Sequence, residues 1–163
     1  MHVTISKRFA FPLRDGYDYI TDLRRWPQYW PNLISVAPES RWSQAGDTAR
    51  LKLKLLGRRT ELVMTLSRVI PYRLVQYTSV QDGLPAAIHE RHFAEDSAGF
   101  VYGIVVEFEP RTGLRGPFDR LVVPRAVERV AKQTVDNLEI RFAELSAREA
   151  WPDDRPALRA PAT

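Results

Sequence analysis

Cysteine is absent from all 163 residues, which excludes disulfides and thiolate metal sites. Nowhere does an apolar run approach 18 residues, so no segment reads as a membrane-spanning helix. The first residues, MHVTISKRF, lack the apolar stretch of a secretory signal. These absences together predict a cytoplasmic chain. Also missing are a GxSxG nucleophile elbow, a phosphate-cradling glycine loop and a dinucleotide fingerprint. Lysine occurs only at 7, 52, 54 and 132, so arginine carries most of the positive charge behind a net +4. The pI of about 9.6 admits nucleic acid or acidic ligands as partners, and fits an arginine-rich, GC-rich genome equally well.

What is present is enough apolar material, 44% of residues, for one domain with a real core. The strongest pattern lies near the end of the chain. Val127, Val130, Ala131, Val135, Leu138, Phe142 and Leu145 recur at spacings of three and four, with Thr134 on the same side. That period predicts an amphipathic helix from about Pro124 to Arg148, roughly 36 Å long. Pro124 suits a first helical turn, and Phe118–Val122 reads as a short, kinked turn before it. Burying six or seven such side chains contributes on the order of 10–15 kcal/mol. So long a stripe needs an equally long apolar partner.

The partner is a set of strands. His2–Phe11 alternates, with Val3, Ile5, Lys7 and Phe9 on one parity. A helix from Pro12 to Leu23 follows, then RRWPQYWPNLI, a short broken helix with two Trp-Pro pairs. From Leu33 to Glu109 six strands follow one another: Leu33–Trp42, Thr48–Leu56, Arg59–Ile70, Tyr72–Gln81, Ala87–Glu95 and Gly99–Pro110. Leu51, Leu53 and Leu55 face one way in their strand; Leu62, Met64 and Leu66 do so in the next. Phe100, Tyr102, Ile104, Val106 and Phe108 share a face of the last. The short turns require antiparallel pairing. The predicted fold is α+β: a seven-stranded curved antiparallel sheet around the C-terminal helix, with two short helices after the first strand. The domain covers 1–148. The Pro- and Ala-rich 149–163 reads as a disordered tail.

One helix cannot tile the inner face of seven strands, so space is left between them. Such a concave apolar space suits a small hydrophobic molecule. Trp26, Tyr29 and Trp30 either cap the core or line that space.

In its order of elements the chain resembles the helix-grip superfamily, START-like or SRPBCC, with polyketide cyclases and dehydrases among its members. The opener FAFPLRDGYDYITDLRRWPQYWPNLISV, the Gly46-Asp47 turn, SRVIPYRLVQY and Asn137-Leu138-Glu139 carry the resemblance over about residues 3–147. It implies an internal cavity for a polyketide, lipid, sterol, quinone or similar ligand. Among its enzymes, aromatic polyketide aromatase/cyclases are similar at Trp26 and at Arg68, an arginine that points into their cavity. Where they carry an inward glutamine on the last strand, this chain has Val106, which puts their proton handling in doubt here.

The residues themselves point to a chemistry. Arg68 shares parity with Leu62, Met64 and Leu66, which predicts an inward direction. If Phe93 faces inward, so do His89 and Arg91. An inward Arg can hold an enolate or phenolate, and an inward His can move a proton. The candidate scheme is ring closure or dehydration, with Arg68 and Arg91 on the oxyanion and His89 as base. The ligand would lie among Trp26, Tyr29, Trp30, Leu53, Met64, Leu66, Tyr77, Phe93, Tyr102, Ile104, Thr134 and Leu138. A one-residue slip would instead present Ile88, Glu90 and His92. Of Gln76 and Tyr77, one is inward. His89 and His92 lie three apart on a strand, on opposite faces, and cannot share an ion. No metal or cofactor is expected. Gly113-Leu-Arg-Gly116 has the spacing of an RNA-gripping loop, but a strand precedes it, and it reads as a hinge over the cavity mouth. Three functions remain: a carrier of an apolar molecule, a cyclase or dehydratase using the same pocket, or a basic surface for nucleic acid or anionic membrane. A monomer or a homodimer suits the first two.

Overall fold

Alternating apolar residues force the strands to bury one face, and a computed structural model of the chain, which describes residues 1–55 and 58–148, shows what covers it. The elements run β1 (His2–Phe9), α1 (Leu13–Thr21), α2 (Trp26–Tyr29), β2 (Leu33–Val36), β3 (Thr48–Leu55), β4 (Arg58–Ile70), β5 (Leu74–Gln81), β6 (Ala87–Asp96) and β7 (Gly99–Phe108). A 3-10 turn at Gly113–Arg115 leads into α3 (Gly116–Leu121) and α4 (Val123–Ala147). The seven strands form one antiparallel sheet in the order β1-β7-β6-β5-β4-β3-β2. Six strands thus meander, and β1 closes the far edge beside β7. The fold is the α+β helix-grip arrangement. The expected end of the third strand at Leu56 and the tail read at 149–163 fall outside the described residues.

Pro124 occupies the first turn of α4, where its missing N–H costs nothing. The helix lies along the concave face with Ala131, Thr134, Val135, Leu138 and Phe142 buried. Phe142 anchors its C-terminal half. The ring stacks on Phe11 at 4.5 Å and meets Phe9 edge-on at 5.1 Å, with Tyr19 and Phe100 close by. Such aromatic pairs each contribute about 0.5–1.5 kcal/mol beyond burial. At the sheet edge Lys7, on the inward parity of β1, reaches Asp136 and Glu139 of α4 at 2.9 and 2.8 Å. Its stem covers apolar surface while its ammonium stays wet.

Two departures from the sequence reading have local causes. The second strand stops at Val36 instead of continuing to Trp42, since Pro38 offers no N–H for pairing. Trp42 is buried in the core. The larger correction concerns Arg68. Leu62, Met64 and Leu66 are buried as expected, but the pairing of β4 with β5 shifts between Leu66 and Arg68. Ser67 is the extra residue of a β-bulge, and its hydroxyl donates to the Gln76 carbonyl at 2.9 Å. The bulge reverses the parity of the residues beyond it, so Arg68 is exposed on the outer face.

Gly16 is explained by the packing of α1 on β7. A Cβ there would lie 2.4 Å from Phe100 Cε1 and 2.5 Å from Cζ, and Phe100 has no exposed surface into which to retreat. Helix propensity alone favours alanine by about 1 kcal/mol. Overpacking reverses that preference: Gly16→Ala is expected to destabilise the protein by about 1–3 kcal/mol. Urea denaturation checks this, and an unchanged or raised midpoint contradicts the close approach.

Candidate functional site

Side-chain size changes along α4, and the site follows from it. Toward its C-terminal end the inward residues are Leu138 and Phe142, and the helix packs solidly on the sheet. Toward its N-terminal end they are the smaller Val123, Ala126, Val127, Val130, Ala131 and Thr134, which line a gap between helix and sheet. A cavity of about 160 Å³ is left there. Its sheet wall is Leu53, Leu62, Ser79, Gln81, Ala87, His89, Arg91, Ile104, Val106 and Phe108. Trp30, Pro31 and Asn32 bound one side of it, Leu84 and Pro85 another, and Phe118 and Val122 bring α3 to its rim. By comparison, an empty apolar cavity of about 150 Å³ holds a benzene molecule.

The polar groups sit together on β5 and β6. Regular pairing sets Tyr77 opposite His89 and Val75 opposite Arg91, with Val106 and Ile104 on the other side. His89, Arg91 and Phe93 therefore face inward, while Ile88, Glu90 and His92 face out. Glu90 is engaged there by His92 Nε2 at 2.7 Å and by Gln76 at 2.9 Å. Of the pair left open in the sequence, Tyr77 is inward and Gln76 outward. His89 stacks flat on the Tyr77 ring, 4.7 Å away and 5° from parallel. Its Nε2 is hydrogen-bonded to Ser79 Oγ at 2.8 Å, and its Nδ1 is buried without a partner. Burial, helped by the nearby Arg91 charge, drives its pKa down to about 3. His89 is thus neutral at physiological pH, not a base poised near pH 7.

Arg91 donates from Nε and Nη2 to the Tyr77 hydroxyl, at 3.1 and 2.7 Å. The Tyr102 hydroxyl lies close enough to feel its charge. Burial works against the guanidinium, but its tyrosine neighbours outweigh that and hold its pKa above the ordinary value. The Tyr102 hydroxyl is pushed up to about 12 by burial, with Arg91 opposing.

Arg91, Trp30 and Thr134 also border a second, smaller void of about 20 Å³, which has room for a water molecule. Trp26, Tyr29, Tyr77, Phe93 and Tyr102 line this void and not the larger cavity. Trp26 Nε1 and the Tyr29 hydroxyl both donate to the Ile20 carbonyl, at 2.9 and 2.8 Å, which fixes the WPxY turn to α1. Asn137 of α4 holds the same turn through the Tyr29 carbonyl at 2.9 Å. Both sequence readings of these aromatics therefore hold, for different residues: Trp26 and Tyr29 close the core, and Trp30 reaches the large cavity. Leu53, Ile104 and Thr134 line the large cavity. Met64, Leu66 and Leu138 are inward but fully packed, and line neither space. Arg68 is on the other side of the sheet.

The sequence reading set a hinge at 113–116 over the mouth but did not name Phe118 and Val122, which border it. They lie in a segment too short for a period to mark them. A clamp holds α3 there. Arg111 donates from Nη2 and Nε to the two oxygens of Asp119, at 2.7 and 2.8 Å, and from its backbone N–H at 2.9 Å. Its Nη2 also reaches the Gly83 carbonyl at 2.9 Å. The hydrogen bonds from Arg111 pull the Asp119 carboxyl down to about 2. Gly113 lies in the left-handed region with φ 74°, at the start of this segment.

A meander sheet gripping one long helix over a cavity is the architecture of helix-grip proteins. The chain belongs to the family described as polyketide cyclase / dehydrase and lipid transport, which matches residues 1–143. A comparison with curated proteins finds no match. Among solved structures, a protein from Thermus thermophilus is 16% identical, with a TM-score of 0.75 over 90% of this chain and 99% of its own. A START superfamily protein from Mycobacterium smegmatis is 13% identical, with a TM-score of 0.73 over 88% and 98%. A protein of the dynemicin biosynthetic locus is 14% identical, with a TM-score of 0.64 over 89% of this chain and 48% of its own. At these identities the likeness is one of fold. Among the described residues no helix is long and apolar enough to cross a membrane.

The His89 environment sets a pH dependence. The unfolded chain takes up a proton at His89 near its ordinary value of 6.5, and the folded protein resists until about 3. The stabilisation is therefore complete above pH 6.5 and is lost progressively as pH falls toward 3. The slope for one proton is at most about 1.4 kcal/mol per pH unit. Denaturant titrations between pH 7 and 4 are expected to show this slope, and His89→Gln to flatten it. An equal slope in both proteins would contradict the buried, neutral imidazole.

Proposed function

We propose that the protein binds a hydrophobic, ring-containing small molecule in the cavity beneath the N-terminal half of α4. The observation that supports this is the cavity itself: an apolar chamber of about 160 Å³ with Ser79, His89 and Arg91 gathered on one wall. Apolar enclosure with a few convergent polar groups is the common form of a small-molecule site. The family description, which spans cyclases, dehydrases and lipid transport, supports a ligand of this kind. The reading takes one domain over 1–148, a cytoplasmic monomer or homodimer, and no cofactor.

Carriage without turnover is the primary reading. Of the three groups in the sequence-derived scheme, Arg68 lies outside and His89 is a weak base in the empty site. A second reading, ring closure or dehydration, has one observation in its favour. His89 and Arg91 lie two residues apart on one face of β6 and line the same cavity, as acid–base work beside an oxyanion partner would need.

Two experiments bear on this. Native mass spectrometry of protein purified from its own host is expected to reveal a retained small molecule. Val130→Phe, which fills the cavity from α4, should lower its occupancy about tenfold or more with an unchanged far-UV circular dichroism spectrum. Equal occupancy in a folded Val130→Phe protein removes the cavity as the site. His89→Gln then separates the two readings. A cyclase or dehydratase loses turnover by about 100-fold or more while ligand affinity holds. A carrier shows no turnover to lose.

A further inference from the structure

Arg91 is a half-buried cation lining the cavity, and among the described residues nothing of opposite charge lies beside it. Among the described residues no carboxylate lies within ion-pair distance of its guanidinium; its hydrogen bonds go to the Tyr77 hydroxyl, with the Tyr102 phenol close by. Its guanidinium carbon also lies 5.7 Å from the centre of the Tyr77 ring. These contacts satisfy donors without supplying a negative charge, and buried charges in proteins are ordinarily paired. A neighbouring residue adds to the pattern. His89 lines the same cavity, and with Nε2 engaged by Ser79 its Nδ1 has no partner. When the Ser79 hydroxyl donates to Nε2, Nδ1 carries the proton and is a free donor. The rest of the lining is mostly apolar, led by Leu53, Leu62, Ile104 and Val106, with Asn32, Lys54, Gln81 and Thr134 its other polar residues.

We propose that the occupant is a hydrophobic acid whose anionic oxygen, a carboxylate or an ionised phenol, seats against Arg91. This rests on the cavity being the ligand site and specifies its ligand class. The anion completes a charge pair that the fold leaves open, and its ring or alkyl portion fills the apolar space under Val127 and Val130. A charge-assisted pair away from bulk water is strong and little affected by salt. A neutral ligand of the same shape leaves Arg91 uncompensated and loses that pair.

The test compares para-butylbenzoate with para-butylbenzamide, two probes of nearly equal shape that differ in charge. By calorimetry, benzoate is expected to bind about tenfold more tightly, or better, to the unaltered protein. In Arg91→Gln, benzoate affinity should fall to the benzamide level while benzamide affinity is unchanged, which also shows that the variant is folded. Arg91→Lys should retain part of the preference. The preference should persist at about 0.5 M salt, as a surface association would not. Equal affinity for the two probes, or an Arg91→Gln effect of equal size on both, overturns the anionic ligand and leaves the cavity as the site. Binding of neither probe, with Val130→Phe retaining the host-derived molecule, overturns both.

Discussion

The packing of α4 against the sheet depends on a gradient of side-chain size. The helix is clamped at Phe142, where four aromatic rings from β1, the β1–α1 link, α1 and β7 close around a fifth. That clamp and the Lys7 contacts set how far the helix stands from the strands. Leu138 fills the gap at that distance; Ala131, Val130 and Val127, two and three turns earlier, do not. The cavity is therefore a consequence of rigid spacing and small residues, and needs no special loop to hold it open. Protein interiors close up around missing atoms only in part, and here the anchored helix prevents further collapse.

The same rigidity governs the polar wall. Tyr77 is fixed between Trp42, His89 and Arg91, with its ring 5.2 Å from Trp42 and stacked on the imidazole. Its hydroxyl in turn orients the guanidinium. Burial then acts on the two basic groups differently. It strips His89 of its affinity for protons, yet leaves Arg91 charged, since the guanidinium is a far weaker acid than the imidazolium and has phenolic acceptors at hand. One neutral and one permanently charged group on adjacent inward positions give this wall a single fixed positive charge.

Much of this was legible in the sequence because β5, β6 and β7 pair without interruption. Two-residue periodicity there puts Tyr102 and Ile104 on the inner face and ties His89 and Arg91 to Phe93, with a one-residue slip left open until the pairing decides it. The three- and four-residue period likewise sets the inward face of α4. Arg68 was misassigned by the same rule. A bulge inserts one residue and inverts everything beyond it, and nothing in Leu-Ser-Arg-Val marks Ser67 as the insertion. Inward direction is also not the same as contact with empty space. Met64, Leu66 and Leu138 are inward but enclosed by neighbours, and which positions border a void depends on the sizes of residues distant in sequence. The hinge at 113–116 was read over the mouth, but the residues that line and hold it were illegible for a third reason: α3 is too short for a period, and the Arg111–Asp119–Gly83 clamp joins three separate segments.

The Phe142 cluster has one more consequence. It closes one end of the hollow, while at the α3 end Leu114, Phe118, Leu121 and Val122 are exposed apolar side chains. For the proposed guest, that leaves only a leading portion enclosed. Whatever trailed behind it would meet a greasy doorstep instead of a wall, so such a guest would be sorted by its front end, with tails of unequal length tolerated.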